Sequence, residues 1–170
     1  MSCSSLCRPG MAALILFATA NLAAAPLSAQ TVRGDPNSLA WLSGVHLDIQ
    51  SFDQSARMGG LQEPAVKTLV QQRLQSAGII PLTRAECDSL DDCGVLYLRI
   101  RTVQAMGRWA YSIDLSLSQQ VCSERSWCGE AATWVASGVY LASSALSTNV
   151  GRQLSALVDV FVDDFRTANP

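Results

Sequence analysis

The stretch "VLYLRIRTVQ", residues 95–104, followed by "RWAYSIDLSLSQQV", residues 108–121, decides the fold. Each alternates apolar and other side chains with a period of two, the mark of a strand with one face buried. Pairing residues whose numbers sum to 213 sets Leu96 opposite Leu117, Leu98 opposite Leu115 and Ile100 opposite Ile113. The turn then falls at Met106-Gly107 or on the four residues around it, and Arg99 meets Asp114 on the other side. A slip of one residue would carry every apolar side chain to the wrong face, so the register is strongly specified. The opposite face presents Tyr97, Arg99 and Arg101 beside Ser112, Asp114 and Ser116.

Upstream, "WLSGVHLDIQSF" (41–52) alternates in the same way, with Val45, Leu47 and Ile49 on one side and His46, Asp48 and Gln50 on the other. "DQSARMGG" (53–60) reads as a loop whose paired glycines suggest mobility. "EPAVKTLVQQRLQSAG" (63–78) carries Val66, Leu69, Val70, Leu74 and Ala77 at helical spacing, with Pro64 near its start and Gly78 at its end. "IIPL" (79–82) follows as a short strand, and strand–helix–strand implies a parallel, right-handed crossover. Thr83 to Gly94 reads as an acidic loop.

Downstream, "ATWVASGVYLAS" (132–143) is a third antiparallel strand. Its core side is open, because Val135, Val139 and Leu141 compete with Trp134 and Tyr140. "STNVGRQLSALVDVFVDDFRTANP" (147–170) is a long helix with Val150, Leu154, Leu157, Val158, Phe161 and Phe165 in one stripe. Ser147 to Asn149 are its capping candidates, and Asn169-Pro170 ends it. Two helices and a sheet, each apolar on one side, build an α+β two-layer sandwich. The expected order is β-α-β-β-β-β-α, a mixed sheet with two helices on one face, within a single domain spanning 41–170.

The first 29 residues stand apart. A polar lead whose only charge is Arg8 precedes the apolar run "MAALILFATANLAAA" (11–25), and "APLSAQ" closes it with small residues. That is the layout of a cleaved secretory signal peptide, with Gln30 as the new N-terminus. The run is too short for a spanning helix and Asn21 interrupts it. No later segment reaches spanning length. Residues 30–40, "QTVRGDPNSLA", read as a flexible lead-in. The expected location is the periplasm or the outside of the cell.

Removing the signal takes one basic residue, Arg8, from the 12 and none of the 14 acidic ones, leaving a slightly acidic chain. No basic run or basic helix face appears, so nucleic acid is a poor partner.

Four cysteines remain, in "ECDSLDDCGV" (Cys87 and Cys93) and "VCSERSWCGE" (Cys122 and Cys128). In an oxidising compartment their default fate is disulfides, with three possible connectivities. The local pairs Cys87–Cys93 and Cys122–Cys128 are favoured, since each brackets a polar loop. Each closure contributes about 2.4 kcal/mol on the chain-entropy estimate. Five intervening residues lie outside the usual zinc spacing of two to four, and a thioredoxin-type centre would need two.

Catalytic material is sparse. His46 is the sole histidine, and with Asp48 two residues on it forms the one pair with the chemistry to orient an imidazole as a base. No nucleophile elbow accompanies it, and a solvent-facing histidine explains the pattern. Glu86, Asp88, Asp91 and Asp92 crowd one loop but lack the ordered ligand spacing and central glycine of a calcium loop. No metal, cofactor, phosphate loop or dinucleotide fingerprint is expected. The open sheet face, with Tyr97, Arg99, Arg101, Asp114, His46 and Asp48, is the candidate binding surface, because Tyr and Arg are favoured anchors of interfaces.

The succession "VQQRLQSAGIIPL", "GVLYLRIRTV", "RWAYSIDLSLSQQ" and a closing amphipathic helix resembles small bacterial envelope modules. The N-terminal domain of the periplasmic Tol–Pal β-propeller protein is one such module. "ATWVASG" and "LVDVFVDDFRTANP" look like uncharacterised secreted bacterial proteins of this size. The resemblance covers roughly Trp41 to Pro170 and implies a non-enzymatic adaptor that contacts another envelope protein. Relative to that module, no propeller and no lipid anchor are expected here, and two cysteine pairs are added. The alternative expectation is a small periplasmic carrier or sensor holding an apolar ligand between sheet and helices.

Overall fold

The computed structural model describes residues 32–123 and 127–170; the expected signal peptide at 1–29 lies outside the described residues. Six strands form one mixed sheet: β1 (Val32–Arg33), β2 (Gly44–Ile49), β3 (Pro81–Leu82), β4 (Cys93–Ala105), β5 (Arg108–Cys122) and β6 (Cys128–Ala142). Their order across the sheet is β1-β6-β5-β4-β2-β3. The helices are α1 (Gln54–Met58), α2 (Glu63–Ser76), α3 (Arg84–Asp88) and α4 (Leu146–Ala168). The architecture is the expected α+β two-layer sandwich, with the long helices α2 and α4 on one face.

The central hairpin obeys the predicted register from Val95↔Ser118 to Ala105↔Arg108. Met106 and Gly107 make the two-residue turn, both at positive φ (50° and 71°). That is the twist a tight hairpin requires, and Gly107 adopts it without strain. On the helix side, Leu96, Leu98, Ile100, Ile113, Leu115 and Leu117 are all buried. Strand β2 runs parallel to β4 and to β3, and α2 makes the crossover between β2 and β3. Val66, Val70 and Leu74 are its buried stripe. On α4 the buried stripe is Val150, Leu154, Leu157, Val158, Phe161 and Val162.

Strand β6 settles its own ambiguity. Trp134, Ala136 and Ala142 are buried on the helix side and Tyr140 packs against that core, while Val139 and Leu141 point the other way. Two local features favour this choice. The Trp134 ring stands edge-on to Phe161, centroids 5.0 Å apart, and its Nε1–H donates to Asp164 Oδ2 at 2.9 Å. Gly138 then leaves room on the same side, since a Cβ there would lie 2.3 Å from the Tyr140 hydroxyl. Tyr140 uses that space to stack on Tyr111 at 5.3 Å.

Four local expectations are revised. The lead-in at 30–40 contains β1, which pairs with Ser137 and Ala136 of β6, and a short 3-10 turn, Pro36–Leu39. The turn starts because Asp35 caps it and Pro36 fixes the first φ, and it delivers Leu39 to full burial. The Asp53–Gly60 loop contains α1, capped by Asp53, whose carboxylate accepts from Ala56 N–H at 2.7 Å. The acidic loop contains α3, started by a capping box between Thr83 and Glu86. Finally, α4 begins earlier than the capping candidates imply: Ala145, in the left-handed region, precedes it. Asn149 instead turns its amide back to the carbonyls of Ser144 and Ala145.

Candidate functional site

With α2 and α4 on one face, the other face of β2, β4, β5 and β6 remains to be accounted for. It divides into three zones. At the end where β4 begins, α3 lies across the strands. The disulfide Cys87–Cys93 ties α3 to the first residue of β4, and Cys122–Cys128 closes the β5–β6 hairpin beside it. A groove of about 460 Å³ runs between the two staples, with Cys87, Cys93 and Cys122 among its walls and Val95 and Ser118 in its floor. Val95 faces away from the helix layer yet is buried, which shows that α3 covers this end.

The middle zone is a shallow depression of about 450 Å³ lined by Asp48, Gln50, Tyr97, Arg99, Asp114 and Ser116. It brings together four of the six residues singled out from sequence. Arg99 and Asp114 are register partners, as expected, but they do not form an ion pair among the described residues. The long arginine stem carries its guanidinium past the short aspartate, and Nε donates to Gln50 Oε1 at the end of β2. Asp48, Asp114 and Arg101 have no side-chain partner among the described residues. Tyr97 is the hinge of a polar relay across the strands. Its hydroxyl donates to Glu130 Oε1 at 3.1 Å, while Arg84 of α3 donates from Nε to Asp88 Oδ1 at 2.9 Å. Contact with Tyr97, then with Asp88, holds the Arg84 guanidinium above its ordinary pKa.

His46 lies outside this zone, half-buried, in a separate depression with Leu82, Thr83 and Arg84. Its Nδ1 lies 3.0 Å from the Leu82 carbonyl of β3. A carbonyl only accepts, so Nδ1 carries the proton. Asp48 shares the face but not that bond, and the imidazole is oriented by backbone rather than by a carboxylate.

The third zone, toward the β4–β5 turn, is apolar, and sequence reading missed it. Val103, Val139 and Leu141 are 65%, 62% and 70% exposed, and Met106 projects fully from the turn. The signal was present as the double-sided apolar pattern of β6: whichever set took the core, the other had to face outward. Along this face, then, a tyrosine–arginine–carboxylate patch adjoins an exposed aliphatic one.

Three of the four loop carboxylates are engaged locally. Glu86 accepts from the Thr83 N–H, which holds its pKa below the ordinary value. Asp88 pairs with Arg84 at 2.9 Å, and Asp92 accepts from the Ser43 hydroxyl at 2.8 Å.

No family model matches this chain, and no curated protein matches it. Among solved structures it is similar to a dodecameric PelC from Paraburkholderia phytofirmans, with a TM-score of 0.48 and 14% identity over 79% of this chain and 96% of that one. It is also similar to the rare lipoprotein B of Shewanella oneidensis, with a TM-score of 0.32 and 12% identity over 72% of this chain and 94% of that one.

Proposed function

We propose that this chain is an exported, non-enzymatic binding module of the bacterial cell envelope, and that it engages another envelope protein through the open face of its sheet. The observation that carries the reading is the composition of that face. Among the described residues three ionic side chains, Asp48, Arg101 and Asp114, stand without side-chain partners beside the exposed aliphatic patch of Val103, Val139 and Leu141. Large exposed apolar surface rimmed by polar groups is the usual character of a docking surface. The signal-like leader and the two disulfides support export.

The alternative, a carrier of an apolar ligand, would need space between the layers. Trp134, Phe161, Leu98, Ile113 and Leu115 fill the middle of that region and are each almost completely buried.

The test is capture of partners by crosslinking in intact cells, comparing wild type with Arg99→Glu/Arg101→Glu. The double change should abolish the crosslinked species while the thermal unfolding midpoint stays put. Undiminished capture by the folded double variant would remove this face from consideration.

A further inference from the structure

The two disulfides have the same spacing in sequence but occupy opposite environments. Cys87 is 5% exposed, beneath α3 and against the sheet, and its partner Cys93 is half-buried at the start of β4. Cys122 and Cys128 are both exposed, directly opposite each other at the end of the β5–β6 ladder. Exchange requires a thiolate to approach a sulfur in line with the S–S bond, so access to the sulfur governs the rate. Exposed disulfides are also the more readily reduced class, whereas enclosed ones resist.

The consequences of opening them differ as well. Strands β5 and β6 are paired from Trp109↔Ala142 to Cys122↔Cys128, and Ser123 N–H donates to the Trp127 carbonyl at 2.7 Å, so backbone hydrogen bonds as well as the disulfide join their ends. The ladder therefore has support besides the Cys122–Cys128 bond. By contrast α3 is a single short helix, and Cys87–Cys93 is the covalent tie that holds it over Val95.

We propose that Cys122–Cys128 is a thiol–disulfide exchange site, open to a dithiol reductant of the exported compartment, and that Cys87–Cys93 is a structural staple. In the first step a reductant thiolate attacks one of the two sulfurs. A mixed disulfide forms, the Cys122–Cys128 bond breaks, and the other cysteine leaves as a thiolate. The reductant's second thiol then displaces the mixed disulfide. The reductant leaves as a disulfide, two electrons have passed to this chain, and Cys122 and Cys128 are left as a dithiol. Because Cys122 lines the groove beside α3, the redox state of this pair is displayed on the same face as the binding surface.

The exchange is tested on the exported protein purified without reductant. It is treated in native buffer with rising dithiothreitol, quenched with an alkylating agent, and its peptides are weighed. Cys122 and Cys128 are expected to be alkylated at least roughly tenfold faster than Cys87 and Cys93, with the near-ultraviolet circular dichroism unchanged through that first phase. Equal rates, a faster reaction at Cys87 and Cys93, or labelling only on global unfolding would each overturn the assignment. A Cys122→Ala/Cys128→Ala variant supplies the control for folding. It should keep the native spectrum and show no fast phase, and a fast phase surviving in it would place the labile bond at Cys87–Cys93.

Discussion

The two faces of one sheet are built from the same strands, and often from neighbouring residues, yet they obey different rules. On the helix side, Leu98, Ile113, Leu115 and Trp134 are fixed by volume and by a shared register. On the open side, Arg99, Asp114 and Arg101 keep the same register and make almost no use of it. Burial raises the cost of every wrong choice on the first face, because each lost methylene removes both transfer energy and packing. On the second face solvent screens the charges, and an exposed ion pair is worth little. A face on which the fold asks for little is one whose side chains are available for a partner.

The contrast is broken most severely at Trp134. Its indole fills the centre of the core, meets Phe161 edge-on and donates to the buried carboxylate of Asp164. Trp134→Ala creates a large cavity and takes the indole donor from Asp164, at a cost of about 3–5 kcal/mol. Urea unfolding followed by far-ultraviolet circular dichroism measures it. A loss below about 1 kcal/mol would mean that this face is no more demanding than the other.

An intermediate effect is expected at Asp53, which ties α1 to Thr102 of β4. Its carboxylate caps α1 through Ala56 N–H and also accepts from the hydroxyls of Ser55 and Thr102. Asp53→Ala should cost about 1–2 kcal/mol. Those bonds, the Ala56 N–H first, hold the folded pKa of Asp53 below the ordinary 3.8, outweighing the opposing effect of desolvation. The stabilisation is therefore present above that ordinary value and is lost as pH falls through the lower folded value. Asp53→Asn can still cap but cannot titrate. The difference in urea midpoint between wild type and Asp53→Asn should narrow as pH is lowered from 6 toward the acid limit, and a constant difference would refute the assignment.

What was legible in the sequence follows the same division. The β4–β5 register, the α2 and α4 stripes and both cysteine pairs could be read because each is a local periodicity or a short loop. The missed elements are short. Helices α1 and α3 bury one residue each, Ala56 and Cys87, so neither has a stripe to detect. The Thr83-x-x-Glu86 spacing was the available clue for α3. Strand β1 is two residues long and exists through its contact with β6, a partner about a hundred positions away. At the site, the strand faces were foreseen but the pairings on them were not. Arg99 chose Gln50 over Asp114, and His46 chose the Leu82 carbonyl, because exposed side chains are placed by neighbours that periodicity does not name.

The smallest expected effect sharpens the comparison from the open side. Leu141 and Ile113 are both aliphatic, both in long, mutually paired strands, and about equal in size. Ile113 is fully buried, whereas most of Leu141 already touches water. Ile113→Ala should cost about 2–5 kcal/mol, while Leu141→Ala should stay within about 0.5 kcal/mol of wild type. The pair separates what the residue is from where it stands. If Leu141→Ala is as destabilising as Ile113→Ala in the isolated protein, the outer patch is part of the core and is not free for docking. If it leaves stability unchanged but weakens crosslinking to the partner, the aliphatic zone and the arginine zone act as one surface. In that case the double-sided pattern of β6 records two selections on one strand, one for packing and one for binding.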